Sequence, residues 1–473
     1  KIKGLVMSSM HISGIGGTAM LAGARIAIEA GWEVRGSDTP LYPPASNMVA
    51  ALGVPVSYGY DAANLNWDPD IVLIGNALSR GNPEVETALS QHMRYISLPE
   101  WLKEHVLRQR RPVVISGTHG KTTTTALTAH VLDRGIPGVG YLIGGEALGF
   151  KHSSRLGKEK APFVIEGDEY DTAFFDKRAK FLHYLPEIAV VTSLEFDHGD
   201  IYRDLEEIEI AFQRMLRQMP HTGLLLLCAD NHAASLVPHT FSNVETYGFN
   251  ENSDWRGIPL EQEGILDIWH GDVHWGKVCP TMAGRHNMLN TLAAVAVAAT
   301  LGISFELIAA AVADFPGIRR RMEVFLEHNG AIFVDDFAHH PTAIYETIRA
   351  ARSRWPNRRI RAVFEPRSNT TVTKKFQKEL EQAFLGAGEV FLGPIHRKES
   401  IPENERLNID RLTATLQRAG IPAQGYDEVP LLVEAIVQSM EPEDVILIMS
   451  NGSFGGIYTQ FRDIFSNSEN NKG

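Results

Sequence analysis

The chain is almost without cysteine, with two in 473 residues, Cys228 and Cys279. So low a count excludes a disulfide framework and suits a reducing compartment such as the cytoplasm. Cys228 ends an apolar run and reads as a core residue. No Cys or His pair has the spacing of a zinc site, and the vicinal His339 and His340 read as turn residues. No apolar run is long enough to span a bilayer; Leu224 to Leu227 is only a strand's worth. Positive charge is in deficit, and a formal charge of -12 argues against a general nucleic-acid binder. The opening Lys1 to Ser9 lacks the apolar centre of a secretory leader and reads as an extension or cloning scar. The length predicts about three domains.

What the chain does have is a phosphate-binding pattern near its first quarter. Val113 to Ser116 favour a buried strand, and Gly117-Thr118-His119-Gly120 then make a loop. Lys121, Thr122 and Thr123 open a helix with Ala126, Leu127 and Ala129 on its apolar side. Loop amides and a helix N-terminus attract phosphate oxygens, a Lys neutralises the β- and γ-phosphates, and a following Thr hydroxyl can hold Mg²⁺. The general pattern places a Gly where this chain has Ile115, so the loop is a shorter variant.

Before this loop, Gly14, Gly16 and Ala19 match Gly-x-Gly-x-x-Ala between a short strand and a helix running to about Ala30. A second strand, Glu33 to Gly36, ends in Ser37 and Asp38. An acid about twenty residues past the glycines is the dinucleotide pattern, so NAD binding is a candidate. The same loop would serve the diphosphate of any nucleotide. Ile71 to Gly75 is the next buried strand, followed by Asn76. Alternating strands and helices predict a small doubly wound domain over residues 1–110.

The central part, 111–321, places acids at strand ends. One strand delivers Glu166, Asp168, Glu169 and Asp171, and another delivers Glu195, Asp197 and His198. Hard oxygens and one imidazole beside a phosphate loop could hold Mg²⁺. Residues 240–280 read as short strands. A long Ala-rich helix follows, with Asn287 and Asn290 on one face, and Arg319-Arg320-Arg321 closes the part. In the last part, 322–473, polar clusters follow three apolar strands: Asp335 to Pro341, Glu365 to Thr370, and Ser450 to Gly456. These predict a second open α/β sheet with a site along its strand ends. The tail from Asn467 reads as frayed.

Taken in order, these stretches resemble the Mur ligase family, the ATP-dependent ligases that build the peptidoglycan precursor. The resemblance covers nearly the whole chain. It implies an α/β protein of three domains: a Rossmann-like UDP-binding domain, a central P-loop ATPase with a mostly parallel sheet, and a Rossmann-like C-terminal domain. The chain looks closest to the branch that uses UDP-N-acetylmuramate as acceptor, whose members add either free L-alanine or the recycled tripeptide L-alanyl-γ-D-glutamyl-meso-diaminopimelate. Leu41 to Ser46, Gly75 to Pro83, Glu169 to Arg178, Glu365 to Thr370 and Met449 to Gly456 look like the tripeptide-adding kind. Several family members carry a carbamylated lysine after the Asp-His motif. This chain has no lysine between His198 and Cys228, so a second Mg²⁺ site supported in that way is not expected.

The resemblance implies that the muramyl carboxylate is phosphorylated by ATP to an acyl phosphate, which the tripeptide amine then attacks. Lys121 would sit on the β- and γ-phosphates within the loop Gly117 to Thr123. Mg²⁺ would be held by Thr122, Glu166 and His198. Arg321 would reach the phosphates, Asn287 and Asn290 would hold adenine, and Asp336 the ribose. Gly14, Gly16, Gly17, Thr18, Ser37, Asp38 and Asn76 would bind UDP-N-acetylmuramate, with His119 facing its carboxylate. Arg178, Arg367 and Asn369 would take the tripeptide. A monomer or weak homodimer is expected, with no membrane or nucleic-acid partner. An NAD-dependent oxidoreductase would leave the Lys-Thr loop and the Asp-His unexplained, and a non-catalytic nucleotide-binding regulator would have no need to keep Lys121, Thr122, Glu166 and His198 together.

Overall fold

A computed structural model of the chain describes residues 7–197, 199, 201–260 and 263–470. The continuous apolar runs become strands buried on both faces, which requires helices on either side of parallel sheets. Three large sheets result, and no strand is shared between them.

The first sheet is five-stranded and parallel, in the order Val56–Tyr58, Glu33–Asp38, Ser9–Ser13, Ile71–Ile74 and Tyr95–Ile96. The chain order reverses beside Ser9–Ser13, the kind of switch point at which open α/β sheets bind ligands. Ser9 is a working part of this sheet, not of an extension. Its amide and hydroxyl donate to Asp70 at 2.7 and 2.9 Å and tie the first strand to the turn before Ile71. Lys1 to Val6 lie outside the described residues.

The second sheet has ten strands. Its middle is parallel: Leu224–Cys228, Ile188–Val191, Arg111–Ser116 and Pro162–Gly167. Trp255–Leu260, parallel to Asn243–Gly248, and Gly140–Leu142, parallel to Pro162–Gly167, continue it, and antiparallel strands finish both edges: Ile265–His270 with Val273–Val278 on one side and Ser154–Arg155 on the other. Helices Lys121–Gly135 and Arg285–Thr300 pack together over the same core. The second of these is buried without a break from Asn290 to Ala298, as an all-round small and apolar sequence demands. Cys228 is buried here, and burial pushes its thiol up to about 12.

The third sheet has six strands. Ala331–Asp336, Val445–Met449, Ile360–Phe364, Glu389–Leu392 and Ala423–Gly425 are parallel, and Glu323–His328 lies antiparallel on the outer edge. The closing helix Ile457–Asn470 runs through the tail that was expected to fray from Asn467. Phe461 and Phe465 anchor it against Phe333. Residues 471–473 lie outside the described residues. No helix among the described residues is long and apolar enough to cross a membrane.

Candidate active site

The phosphate loop leaves the C-terminal end of Arg111–Ser116 and enters helix Lys121–Gly135. Its shape is held from outside. Thr118 and His119 donate their amides to the Ser193 carbonyl and hydroxyl at 3.0 and 2.8 Å, and Thr192 donates its hydroxyl to the His119 carbonyl at 2.5 Å. Gly117 has φ +128°, and a Cβ there would stand 2.4 Å from the Thr192 hydroxyl. Gly120 has φ +81°, and a Cβ would stand 2.4 Å from the Asn290 side-chain oxygen. Neither position tolerates another residue.

The helix begins at Gly120 with no side-chain cap. The amides of its first turn therefore have no intrahelical acceptor and carry the positive end of the helix dipole. They open on a cavity of about 500 Å³ that Lys121, Thr122, Glu166, Asn287, Asn290, Arg321 and Asp336 all line. An uncapped helix start beside a lysine fits a nucleotide phosphate chain.

Lys121 Nζ donates to Glu169 at 2.8 Å and to the Gly117 carbonyl at 2.6 Å. Burial works against its charge, but Glu169 and Asp168 outweigh this and hold its pKa above the usual lysine value. Thr122 donates its hydroxyl to Glu166 Oε1 at 2.9 Å, and the Gly144 amide donates to Oε2 at 3.0 Å. Burial raises the pKa of Glu166, and Lys121 and Thr122 only partly offset that. A hydroxyl and a half-buried carboxylate in contact are a hard-oxygen donor pair, which fits Mg²⁺. His198, expected as a further ligand, lies outside the described residues.

The Asn pair shares its work. Asn290 takes a hydrogen bond from Thr124 at 3.1 Å and donates to Asn287 at 3.2 Å, while Asn287 donates to the Ala283 carbonyl at 2.8 Å. Asn290 thus props the phosphate-loop helix, with both ends of its amide in use. The arginine run divides in the same way. Arg320 pairs with Asp335 at 3.2 Å and donates to the Ser450 and Gly452 carbonyls at 2.7 and 2.8 Å. Arg321 lies over the Phe337 ring at 5.0 Å and faces the cavity. Asp336 accepts from the Met322 and Ala338 amides, both at 2.8 Å, and burial raises its pKa despite Arg321.

A second cavity, about 560 Å³, holds Arg367 and Asn369 together with His396, Arg397, Ser400 and Asn451. Asp197, Phe337 and His339 line both cavities and mark where they meet. His339 donates from Nδ1 to the Phe337 carbonyl at 3.0 Å, and burial lowers its pKa to about 4. A neutral ring with Nε2 as acceptor therefore stands at the junction. Arg178, expected beside Arg367, does not line this cavity. It is largely exposed, and its guanidinium is held by Asp176 at 2.7 and 2.8 Å in the hairpin Asp171–Ala173 and Asp176–Ala179.

In the first domain, helix Thr18–Glu29 also starts uncapped, at Gly17. The Gly14 amide donates to the Ser37 carbonyl at 2.8 Å and the Gly16 amide to Asp38 at 2.7 Å. Asp38 also accepts from Tyr60 at 3.1 Å. The Ser37 hydroxyl is not available to a ligand. It is wholly buried and donates to Glu84 at 2.6 Å. Ser13, His11 and Asn64 surround the same carboxylate, at 2.5, 3.4 and 2.6 Å. Burial opposes ionisation of Glu84, but these partners prevail and hold its pKa at about 2. Asn76 donates to the Asp171 carbonyl at 3.0 Å, tying the first domain to the second.

Glu84, Asn290's link to Thr124, and the placing of His396 and Arg397 had no signal in the spacing of the sequence. Each depends on segments far apart in the chain.

Comparison with known proteins gives three family matches in chain order. "Mur ligase family, catalytic domain" covers residues 9–110, "Mur ligase middle domain" covers 115–298, and "Mur ligase, glutamate ligase domain" covers 320–452. A UDP-N-acetylmuramate–L-alanyl-γ-D-glutamyl-meso-2,6-diaminoheptandioate ligase of Escherichia coli is 40% identical over 464 residues, 96% of this chain and 97% of its own. A UDP-N-acetylmuramate–L-alanine ligase of Desulforapulum autotrophicum is 32% identical over 453 residues, 94% of this chain and 95% of its own. The crystal structure of a murein peptide ligase from Psychrobacter arcticus superposes with a TM-score of 0.73 at 34% identity, covering 97% of this chain and 99% of its own.

Proposed function

This chain belongs to the Mur ligase family, and from that membership we propose that it joins L-alanyl-γ-D-glutamyl-meso-diaminopimelate to UDP-N-acetylmuramate at the expense of ATP. The product bond is an amide. A carboxylate is a poor electrophile, so its oxygen first takes the γ-phosphoryl group and gains a leaving group. The tripeptide's α-amine then attacks the acyl carbon, and phosphate departs.

The observation that carries this reading is the joining of two cavities. One is built for a phosphate chain, and the other carries two guanidinium groups, Arg367 and Arg397, suited to a peptide with several carboxylates. Free L-alanine would leave most of the second cavity empty.

Lys121 and the first-turn amides would hold the phosphates and oppose their charge while two anions approach. Thr122 and Glu166 would hold Mg²⁺, which, once bound, neutralises phosphate oxygens. Arg321 would reach the phosphoryl group from the domain boundary, and His119 would face the muramyl carboxylate. The loop Gly14 to Thr18, with Asp38 fixing it through the Gly16 amide, would hold the UDP diphosphate on the second uncapped helix start. Arg367, with Asn369 beside it, would take tripeptide carboxylates. His339 Nε2 would accept a hydrogen bond from the incoming amine.

The second reading, addition of L-alanine, is favoured by the similarity to the Desulforapulum autotrophicum enzyme. Phosphate release from Mg-ATP with UDP-N-acetylmuramate separates the two. Release with the tripeptide and not with L-alanine is expected; the reverse would retain the chemistry and overturn the choice of amine.

A further inference from the structure

His119, Glu195 and His340 come from three distant segments, yet one ligand atom of each lies within 4.8 Å of the others. His119 Nε2 is 3.4 Å from Glu195 Oε2, and His340 Nδ1 is 3.8 Å from the same oxygen. A tetrahedral cation with bonds of about 2.1 Å holds its ligand atoms about 3.4 Å apart. The observed separations are therefore within a small side-chain adjustment of that arrangement.

The second ring nitrogen of His340 makes the case stronger. Its Nε2 is 3.3 Å from the Phe196 carbonyl, which can only accept, so the proton sits on Nε2 and Nδ1 keeps its lone pair, 3.8 Å from Glu195 and now turned to the Thr342 amide, which a cation would displace. A histidine that donates one nitrogen to a backbone carbonyl and offers the other is the usual support for a metal ligand. Burial, with His119 adding to it, lowers the pKa of His340 to about 4, so the ring is neutral at pH 7. Its existing partner on Nδ1 is a long contact, the Thr342 amide at 3.3 Å. His119 and Glu195 are partly exposed to the phosphate cavity, which gives an ion an entrance and room for a water as fourth ligand.

We propose that His119, Glu195 and His340 form a binding site for a zinc-type divalent cation, separate from the oxygen site at Thr122 and Glu166. Two imidazoles and one carboxylate favour a borderline-soft d-block ion over Mg²⁺. His119 belongs to the phosphate loop, and His340 starts helix Pro341–Arg354 of the third domain, where its side chain caps the Thr342 amide. A cation here would fasten the loop to that helix. It would also occupy His119, so it would oppose turnover even in excess Mg²⁺.

The test is zinc binding by the untagged full-length protein in millimolar Mg²⁺, read by competition with a chromogenic chelator. One zinc per chain is expected, with a dissociation constant of about 1 µM or tighter. His340→Asn keeps an acceptor for the Thr342 amide and removes the ligand; Glu195→Gln keeps an acceptor for the Thr342 hydroxyl, which now donates to Glu195 at 2.7 Å. Each should weaken zinc at least tenfold, with circular dichroism and melting temperature near the parent. Glu166→Gln should leave zinc affinity within about twofold. The proposal fails if zinc does not bind, if His340→Asn and Glu195→Gln bind it as the parent does, or if Glu166→Gln alone abolishes binding.

Discussion

Lys121 Nζ is shared between the Glu169 carboxylate, 2.8 and 2.9 Å away, and the carbonyl of Gly117 in its own loop, at 2.6 Å. The cation of the phosphate site is thus held on the wall of the cavity before any nucleotide is considered, at the head of a helix with no cap. Lys121→Ala should lower turnover by about 10³-fold or more, since a preplaced cation is worth several kcal/mol to a transition state that gathers negative charge. Far-ultraviolet circular dichroism should remain that of the parent. Phosphate release near the parental rate would remove the phosphate-loop reading.

Arg320 and Arg321 are adjacent in sequence and should behave as opposites. Arg320 serves Asp335 and two carbonyls of the third domain. Arg320→Ala should therefore cost about 2–4 kcal/mol of stability, measured by urea unfolding. Arg321→Ala should leave stability within about 0.5 kcal/mol and lower kcat by about 10²-fold. If the two effects exchanged places, the assignment of Arg321 to the phosphates would be wrong.

Arg367 and Arg178 give a second contrast. Removing Arg367 from the second cavity should raise KM for the tripeptide tenfold or more, about the worth of one charge-assisted hydrogen bond. Arg178→Ala breaks an exposed pair with Asp176. Such pairs are worth roughly 0–1 kcal/mol, and steady-state kinetics should stay within about twofold of the parent. A large KM effect at Arg178 would place peptide recognition outside the second cavity.

Glu84 should govern acid stability of the first domain. Its carboxylate is fully buried and has a native pKa of about 2 against an ordinary 4.5. Between those values the unfolded chain binds more protons, so stability rises with pH there. The contribution, about 3 kcal/mol, is complete above pH 4.5 and is lost as pH falls towards 2. Urea unfolding at pH 7 and pH 4 should show a pH-dependent component that disappears in Glu84→Gln. An unchanged dependence in that variant would assign the acid sensitivity elsewhere.

The features legible in the sequence are those written in neighbouring residues. A strand, two glycines with positive φ, a lysine and a threonine fix the phosphate loop within a dozen positions, and buried parallel strands announce themselves as unbroken apolar runs. Arg178 and Ser37 show where such reading stops. Both have the right chemistry and stand near the right motifs. The sequence does not say that Asp176 holds one, or that the other's hydroxyl turns inward to Glu84. Asn290 lines the phosphate cavity, and its bond from Thr124, 166 positions away, is written in neither neighbourhood. The same distance in sequence hid His119, Glu195 and His340, since a search for metal spacing inspects neighbours and these three are not neighbours. Asn467 is a case of local composition. A polar local composition suggested fraying from there, while the helix that Phe461 and Phe465 dock continues to Asn470.

Asp197 comes from the loop after Ile188–Val191 in the central sheet and Phe337 and His339 from the loop after Ala331–Asp336 in the third, yet together they make the boundary between the two cavities. Neither half of the chain owns that doorway. Parting the two units by a few ångströms would erase it, and with it any sheltered route from the amine to the reacting carbon. A ligand long enough to thread the doorway would act as a bolt, holding both cavities at once without competing fully for either alone.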